Sequence, residues 1–398
     1  MSNIPTLDTI GTVAGQRVLV RVDLNVPMKD GKVTDTSRID AVRPTIVELS
    51  RSGAKVVLLA HFGRPKGKAV AQMSLSQVVP TLSERLKQDV AFATMDEAAA
   101  AIDALDDGGV LVLENTRFDP GEETNDAGFV ERLAKLGDLY VNDAFSAAHR
   151  AHASTEGIAH KLKAFAGRAM EAELDALQMA LGKPERPVMA IVGGAKVSTK
   201  IDLLQHLVTK VDALVVGGGM ANTFLHAGDV RVGASLCEPN EKATVRRIMD
   251  AADRAGCAVM LPKDAMVAAK LEPGVPVTHV GLEEGVADDM MILDVGPNTV
   301  EEICGEMNHA QTLVWNGPLG AFEVPPFDKG TVATARHAAE RTKVAGLRTV
   351  AGGGDTMAAL ARAGVVDKFT YVSNAGGAFL EWMEGKALPG VEALKASR

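Results

Sequence analysis

Basic residues and glycines recur in this 398-residue chain in one setting, directly after short β-branched apolar runs. In the first half, Arg21-Val22-Asp23-Leu24-Asn25 closes one such run and His61-Phe62-Gly63-Arg64 closes the next. Two more lead into Thr116-Arg117 and into Asn142-Asp143, with His149-Arg150-Ala151-His152 just beyond, and Arg38 stands before a helical stretch. Arginine suits planar, two-pronged capture of phosphate or carboxylate. Arg38, Arg64, Arg117, Arg150 and His61 therefore predict a pocket for a small anion, against the bland alternative of separately solvated side chains. His149 and His152 have a spacing that a metal pair can use, but no third ligand lies nearby, so core or ligand-contact histidines are expected.

The second half repeats the arrangement with glycine. Gly193-Gly194-Ala195-Lys196-Val197-Ser198-Thr199-Lys200, Gly217-Gly218-Gly219-Met220 and Gly352-Gly353-Gly354-Asp355-Thr356 each follow an apolar run. Glycine at a strand-to-helix turn lets backbone N–H groups approach phosphate oxygens, and the helix N-terminus adds a favourable partial charge. Neither GxxxxGK[ST] nor GxGxxG occurs, which excludes a P-loop and counts against a nicotinamide-dependent dehydrogenase. Lys196 and Lys200 would share the first turn of a helix starting near Val197, where cations oppose the macrodipole unless an anion is bound. Asp355, opening its helix, reads either as an N-cap or as the carboxylate of a Mg²⁺–phosphate unit. Glu323, after Trp315-Asn316-Gly317-Pro318, suits ribose hydroxyls.

Positioning these groups requires strands that end at one level. Candidate buried strands are 18–23, 56–61, 110–115 and 139–143, then 188–193, 213–218, 258–262, 312–316 and 348–352. Helical spacing lies between them, at 40–50, 75–86, 240–255 and 329–341. Alternation of this kind predicts an α/β fold with parallel sheets covered on both faces. Met170, Leu174, Leu177 and Leu181 mark a connecting helix, and the proline-bearing stretch 182–187 stops it. Two domains follow, with ligands beyond the carboxyl ends of the strands.

Composition agrees with that class. Lys and Arg number 42 against 51 Asp and Glu, a net charge of −9, which argues against coating nucleic acid or an anionic membrane. The few basic residues that matter are expected to be gathered in a positive cleft within a negative body. Aromatics make up 4%, too few for a base-stacking platform. Three scattered cysteines suggest buried thiols rather than a zinc ribbon or disulfide frame. The first residues lack a signal-peptide pattern, and no apolar run approaches the ~20 residues of a membrane span, so a cytoplasmic protein is expected.

Together RVDLNVP (21–27), HFGRP (61–65), ENTRF (114–118), AHRAHAS (148–154), VGGAKVSTK (192–200), GGGMANTF (217–224), WNGPLGAFE (315–323) and GGGDT (352–356) resemble phosphoglycerate kinases. The resemblance is collinear over nearly the whole chain. It implies two Rossmann-like, doubly wound domains: residues 1–167 for phosphoglycerate and 187–375 for nucleotide. A hinge helix and linker (168–186) joins them, with a tail (376–398) packed back on the first. The activity implied is reversible phosphoryl transfer between MgATP and the carboxylate of 3-phosphoglycerate, giving 1,3-bisphosphoglycerate and ADP in glycolysis. It further implies a cytoplasmic monomer that binds neither nucleic acid nor membrane and closes about its hinge.

Carried over by position, the substrate residues are Arg21, Val22, Asp23, Asn25, Arg38, His61, Phe62, Gly63, Arg64, Arg117 and Arg150. Those for the nucleotide are Gly194, Lys200, Gly218, Gly296, Asn316, Glu323, Gly353, Gly354, Asp355 and Thr356, with Asp355 as the magnesium ligand. Arg38, Lys196, Lys200, Gly353 and Gly376 carry the catalytic roles. Two departures stand out: Ser146-Ala147 where Gly-Thr is common, and Ser373-Asn374-Ala375-Gly376-Gly377 where Ser-Thr-Gly-Gly-Gly is usual. A dehydrogenase and a non-catalytic, periplasmic-type binding protein are the rivals. The first lacks its glycine fingerprint. The second lacks an export signal and leaves Lys196, Lys200 and Asp355 without a purpose.

Overall fold

The computed structural model describes residues 4–397; residues 1–3 and 398, the extremes of the expected first domain and of its tail, lie outside the described residues. Contacts divide the chain into two compact units. One runs to Leu174 and resumes at Ala387, and the other is Asp175–Lys386.

The first unit is built on a six-stranded parallel sheet, in the spatial order Val90–Ala93, Val110–Leu113, Lys55–Leu59, Arg17–Arg21, Leu139–Asn142, Lys163–Ala166. Its central strand carries Val18, Leu19 and Val20, each fully buried between layers of helix. The chain fills one side of that strand before returning to the other, so the topological switch lies between Arg17–Arg21 and Leu139–Asn142. Arg21 is in register with both Leu59 and Asn142, so the polar residues following these strands emerge at one level. Helix Ser37–Arg51 buries Ile39, Val42, Ile46 and Leu49, a three-and-four spacing that presents one apolar face to the sheet.

The second unit repeats the plan, in the order Ala258–Met260, Ala213–Gly217, Val188–Gly193, Thr312–Asn316, Arg348–Gly352, Tyr371–Ser373. Every residue of Val188–Gly193 is buried, and Asn316 pairs with Val192 across the switch. This unit also holds an antiparallel sheet, Thr278–Gly281, Asp264–Ala268 and Met291–Val295, with its own apolar cluster around Leu225, Val232, Ala265 and Val267. The sequence reading left it out. Its outer strand is almost wholly exposed, so it carries no apolar run to be noticed.

The connecting helix begins at Arg168, the expected start of the hinge segment and two residues before its first apolar position, and runs as α-helix to Leu177 before a π turn over Gln178–Gly182. That start has a tertiary cause. The buried Asp143 carboxylate accepts the amides of Ala169 (2.8 Å) and Met170 (3.0 Å), capping the helix from the end of a neighbouring strand. The boundary between units falls inside this helix, after Leu174. The returning tail is shorter than expected. Residues 376–386 group with the second unit, and only those from Ala387 on join the first, where the Gly390 amide donates to the Ala148 carbonyl (2.9 Å). Among the described residues no helix is long and apolar enough to cross a membrane.

Candidate active site

At the carboxyl end of the first sheet the anticipated residues meet through a connected set of hydrogen bonds. Arg21 is buried and donates from Nε to Ser154 Oγ (2.9 Å), from Nη1 to the Val22 carbonyl (2.5 Å) and from Nη2 to His61 Nδ1 (2.9 Å). Asp23 Oδ2 accepts from Arg38 Nη1 (2.7 Å) and from Ser146 Oγ (2.6 Å), while Oδ1 accepts the Asn25 amide (3.0 Å). Asn25 Oδ1 takes the Gly63 amide (2.9 Å), and Arg117 Nη1 donates to the Gly63 carbonyl (2.8 Å). Gly63 bridges the two with φ of 62°, a conformation that disfavours side chains. The Phe62 amide is held by Asn115 Oδ1 (3.2 Å). Arg64 is exposed, and no hydrogen bond or ion pair among the described residues holds it.

The electrostatics suit an anion. Burial first, then Arg21, Arg117, Arg150 and His152, hold the His61 pKa well below the usual imidazole value. Burial and the same arginines lower His152 to about 4. Arg117, 3% exposed, is itself lowered by burial and by Arg150, although Glu123 lies 3.2 Å from its Nε. Three guanidiniums and two neutral histidines thus share the end of one sheet, and the carboxylates of Asp23, Glu122 and Glu123 lie among them.

In the second unit the glycines allow a close crossing of turns. A Cβ at Gly193 would fall 1.8 Å from the Pro318 carbonyl oxygen, so no other residue fits there. Lys200 Nζ donates to the Gly193 carbonyl (2.7 Å) and to Asn316 Oδ1 (2.6 Å); burial pushes its pKa down to about 8, with Asp355 opposing. Asn316 and Thr356 are buried and brace the backbone. Asn316 Nδ2 donates to the Gly352 carbonyl (2.7 Å), and Thr356 Oγ1 accepts the Gly317 amide (2.7 Å) and donates to Gly352 (2.9 Å).

Above these turns lies a cleft of about 300 Å³, bordered by Gly194, Gly218, Leu236, Leu319, Glu323 and Asp355. Its walls are largely apolar, with the carboxyl groups of Asp294, Glu323 and Asp355 among them. Asp355 is exposed in the first turn of helix Gly354–Ala363. Among the described residues no cluster of three or more His, Cys, Asp or Glu side chains stands ready for a metal. A single exposed carboxylate beside phosphate-sized space is nonetheless how Mg²⁺ is commonly held, with substrate oxygens completing its shell. Asp355 therefore fits such an ion.

Several expectations change in detail. Lys196 and Lys200 do not share one helix start. A 3₁₀ turn, Val197–Thr199, separates them, and the backbone at Lys200 leaves helical geometry before Ile201–Leu207 begins. Lys196 is consequently exposed while Lys200 is half-buried. Gly296 does not border the cleft. It opens helix Pro297–Met307 against Asp264, whose Cγ would lie 2.3 Å from a Cβ there. Gly376, with φ of 50°, opens helix Gly377–Met383 beyond the edge strand of the second sheet, and Gly353 (φ 101°) turns into the Asp355 helix. Ser146, Ser154, Glu122 and Asn115 were not anticipated as site residues. Ser146 alone carried a signal, as a departure from the family pattern, because the others act on site residues rather than on a ligand.

The phosphoglycerate kinase family profile matches residues 7–386. A phosphoglycerate kinase of Rhizobium meliloti strain 1021 is 63% identical over 393 residues, covering 98% of both chains. That of Agrobacterium fabrum is 61% identical over the full length of both. The solved phosphoglycerate kinase of Coxiella burnetii superposes with a TM-score of 0.93 at 41% identity, and that of Pyrococcus horikoshii OT3 with 0.80 at 30%, each covering 99% of both chains.

Proposed function

Because the chain belongs to the phosphoglycerate kinase family, phosphotransferases of glycolysis with a carboxyl acceptor, we propose that its first unit binds 3-phosphoglycerate and its second binds MgATP. The observation that carries this division is the cluster of Arg21, Arg117 and Arg150 around His61 and His152. A site that keeps two histidines neutral beside three guanidiniums calls for a multiply charged anion.

The acceptor is a carboxylate, already ionised at pH 7. No general base is required, and attack needs only that the acceptor oxygen approach the γ-phosphorus while its bond to the β-phosphate oxygen breaks. The obstacle is repulsion between anions, so catalysis consists of positioning and charge stabilisation. Arg117, Arg150 and His61 hold the phosphoglycerate, and Arg64 reaches it from an exposed position. Arg38, tethered to Asp23 without ligand, turns to the transferring group. Lys200 carries charge to the same group from beneath the glycine turns, and Lys196 adds to it from the surface. The apolar cleft takes the base and Glu323 the ribose. Mg²⁺, held through Asp355, would neutralise nucleotide phosphate charge. Transfer requires reacting atoms about 3–3.5 Å apart. The reading includes a monomer, since one chain supplies every residue assigned.

Incubation with MgATP, 3-phosphoglycerate and hydroxylamine should trap the acyl phosphate as a hydroxamate. Folded enzyme yielding none would refute the assignment.

A further inference from the structure

We propose that Glu122 and Ser154, neither of which reaches a ligand, fix the ring tautomer of His61 through Arg21, so that His61 presents a hydrogen rather than a lone pair to the bound phosphoglycerate. The inference rests on His61 as a ligand contact, and it adds the machinery that keeps this contact in its useful form.

The direction of every bond in the chain is determined. A guanidinium only donates, so at 2.9 Å from Arg21 Nη2 the Nδ1 of His61 must accept. A neutral imidazole that accepts at Nδ1 carries its hydrogen on Nε2. The other side of Arg21 is equally constrained. Its Nε donates to Ser154 Oγ at 2.9 Å, which commits one lone pair of that hydroxyl and leaves its own hydrogen for Glu122 Oε1 at 2.6 Å. The second oxygen of Glu122 accepts the Ser154 amide at 3.0 Å, and the Ser154 carbonyl receives the Tyr140 hydroxyl at 2.9 Å. Arg21, Glu122, Tyr140 and Ser154 are all buried.

Glu122 therefore orients Ser154, Ser154 holds Arg21 at Nε, and Arg21 cannot turn its Nη2 away from His61. The carboxylate of Glu122 also supplies the negative charge that a buried Arg21 requires, through one intervening hydroxyl. With the opposite tautomer His61 would direct a lone pair at an anion, replacing a hydrogen bond with repulsion. Low basicity alone does not choose between tautomers, because it fixes only the absence of the second proton. The choice comes from Arg21.

Long-range ¹H–¹⁵N spectra of the ¹⁵N-labelled full-length enzyme report imidazole tautomers, and a His61→Ala sample identifies the His61 signals. The wild type should show a single Nε2–H form from pH 6 to 8. In Ser154→Ala the Arg21 guanidinium loses its Nε anchor. The His61 signals should then move towards a two-tautomer average, with KM for 3-phosphoglycerate rising about tenfold and KM for MgATP staying within about twofold. Glu122→Gln keeps the volume but disturbs the polarity of the Ser154 hydroxyl, so it should show the same changes in weaker form. A folded Ser154→Ala enzyme with an unmixed Nε2–H signal and unchanged KM overturns the proposal, as does a wild-type Nδ1–H signal. Should Ser154→Ala not fold, an unchanged spectrum and KM in Glu122→Gln overturn it instead. A His61→Ala enzyme with unaltered KM removes the ligand contact itself, a failure of the site assignment that the tautomer spectrum would not show.

Discussion

Lys200, which we assign to the nucleotide, makes that site depend on pH. Its ammonium, lowered to about 8 by burial, is charged at neutral pH and neutral well above it. The unfolded chain keeps that proton up to the ordinary lysine value, so stability contributed by this group rises as pH climbs from about 8 to 10.5. Nucleotide phosphates favour the charged form, so MgATP binding at pH 8.5 should take up a fraction of a proton. Calorimetry in buffers of different ionisation heat measures this, and Lys200→Met should abolish it. Arg38→Ala should lower kcat by 10²-fold or more, whereas Arg64→Ala should chiefly raise KM for 3-phosphoglycerate, since the former is tethered for transfer and the latter only anchors. Steady-state kinetics with each substrate varied would separate these outcomes. Ser146 shares Asp23 with Arg38, and Ser146→Ala should lower kcat severalfold with Ser146→Thr restoring it. At this scale the grouping of Arg21, His61 and Arg117 was legible in the sequence because each stands at or within a few residues of a strand end. Glu122 and Ser154 were not, since a residue that acts on another side chain leaves no spacing to be seen.

Among the elements, the connecting helix begins where the family resemblance placed the hinge, although its apolar spacing alone would not show that start. Its apolar spacing begins at Met170, yet the helix starts at Arg168 because Asp143, distant in sequence, supplies the cap. Likewise the central strands were evident from unbroken β-branched runs. The edge strands Val90–Ala93 and Tyr371–Ser373, short and partly exposed, were not. Asp143 carries a further consequence. Burial raises its pKa to about 7, against the opposing pull of Thr45 and the capped amides. The folded state then holds a proton that the unfolded chain releases near pH 4, so stability falls as pH rises from about 4 to 7. Asp294, raised by burial to about 7, acts over the same window. Asp143→Asn should flatten part of this slope, at a cost of roughly 1–3 kcal/mol at low pH for an amide group left unpaired. Thermal unfolding at pH 5 and pH 8 would show the difference in Tm between the two conditions shrinking.

For the molecule as a whole, the two-domain α/β plan was legible from alternation and from the break at 182–187, while the exact extent of the returning tail was not. Nothing local distinguishes helix Gly377–Met383, which stays with the second unit, from Pro389–Ala396, which joins the first. The latter buries Val391, Ala393 and Leu394, with Leu388 just before it, beside the loop that carries Arg150. Truncation after Lys386 should lower stability by several kcal/mol, about 1.5–3 for each large side chain lost from the core. It should also raise KM for 3-phosphoglycerate more than for MgATP. Chemical unfolding and substrate titration of the shortened chain test both effects. Chain order gives the same feature a meaning on the ribosome. The first unit begins to emerge before the second but lacks its last helix until about 200 further residues have been made. At roughly 5–20 residues per second this amounts to some 10–40 seconds. During translation the second unit is therefore the first to have all its parts, and the nascent first unit waits with an apolar face uncovered, the interval in which a holding chaperone has most to do.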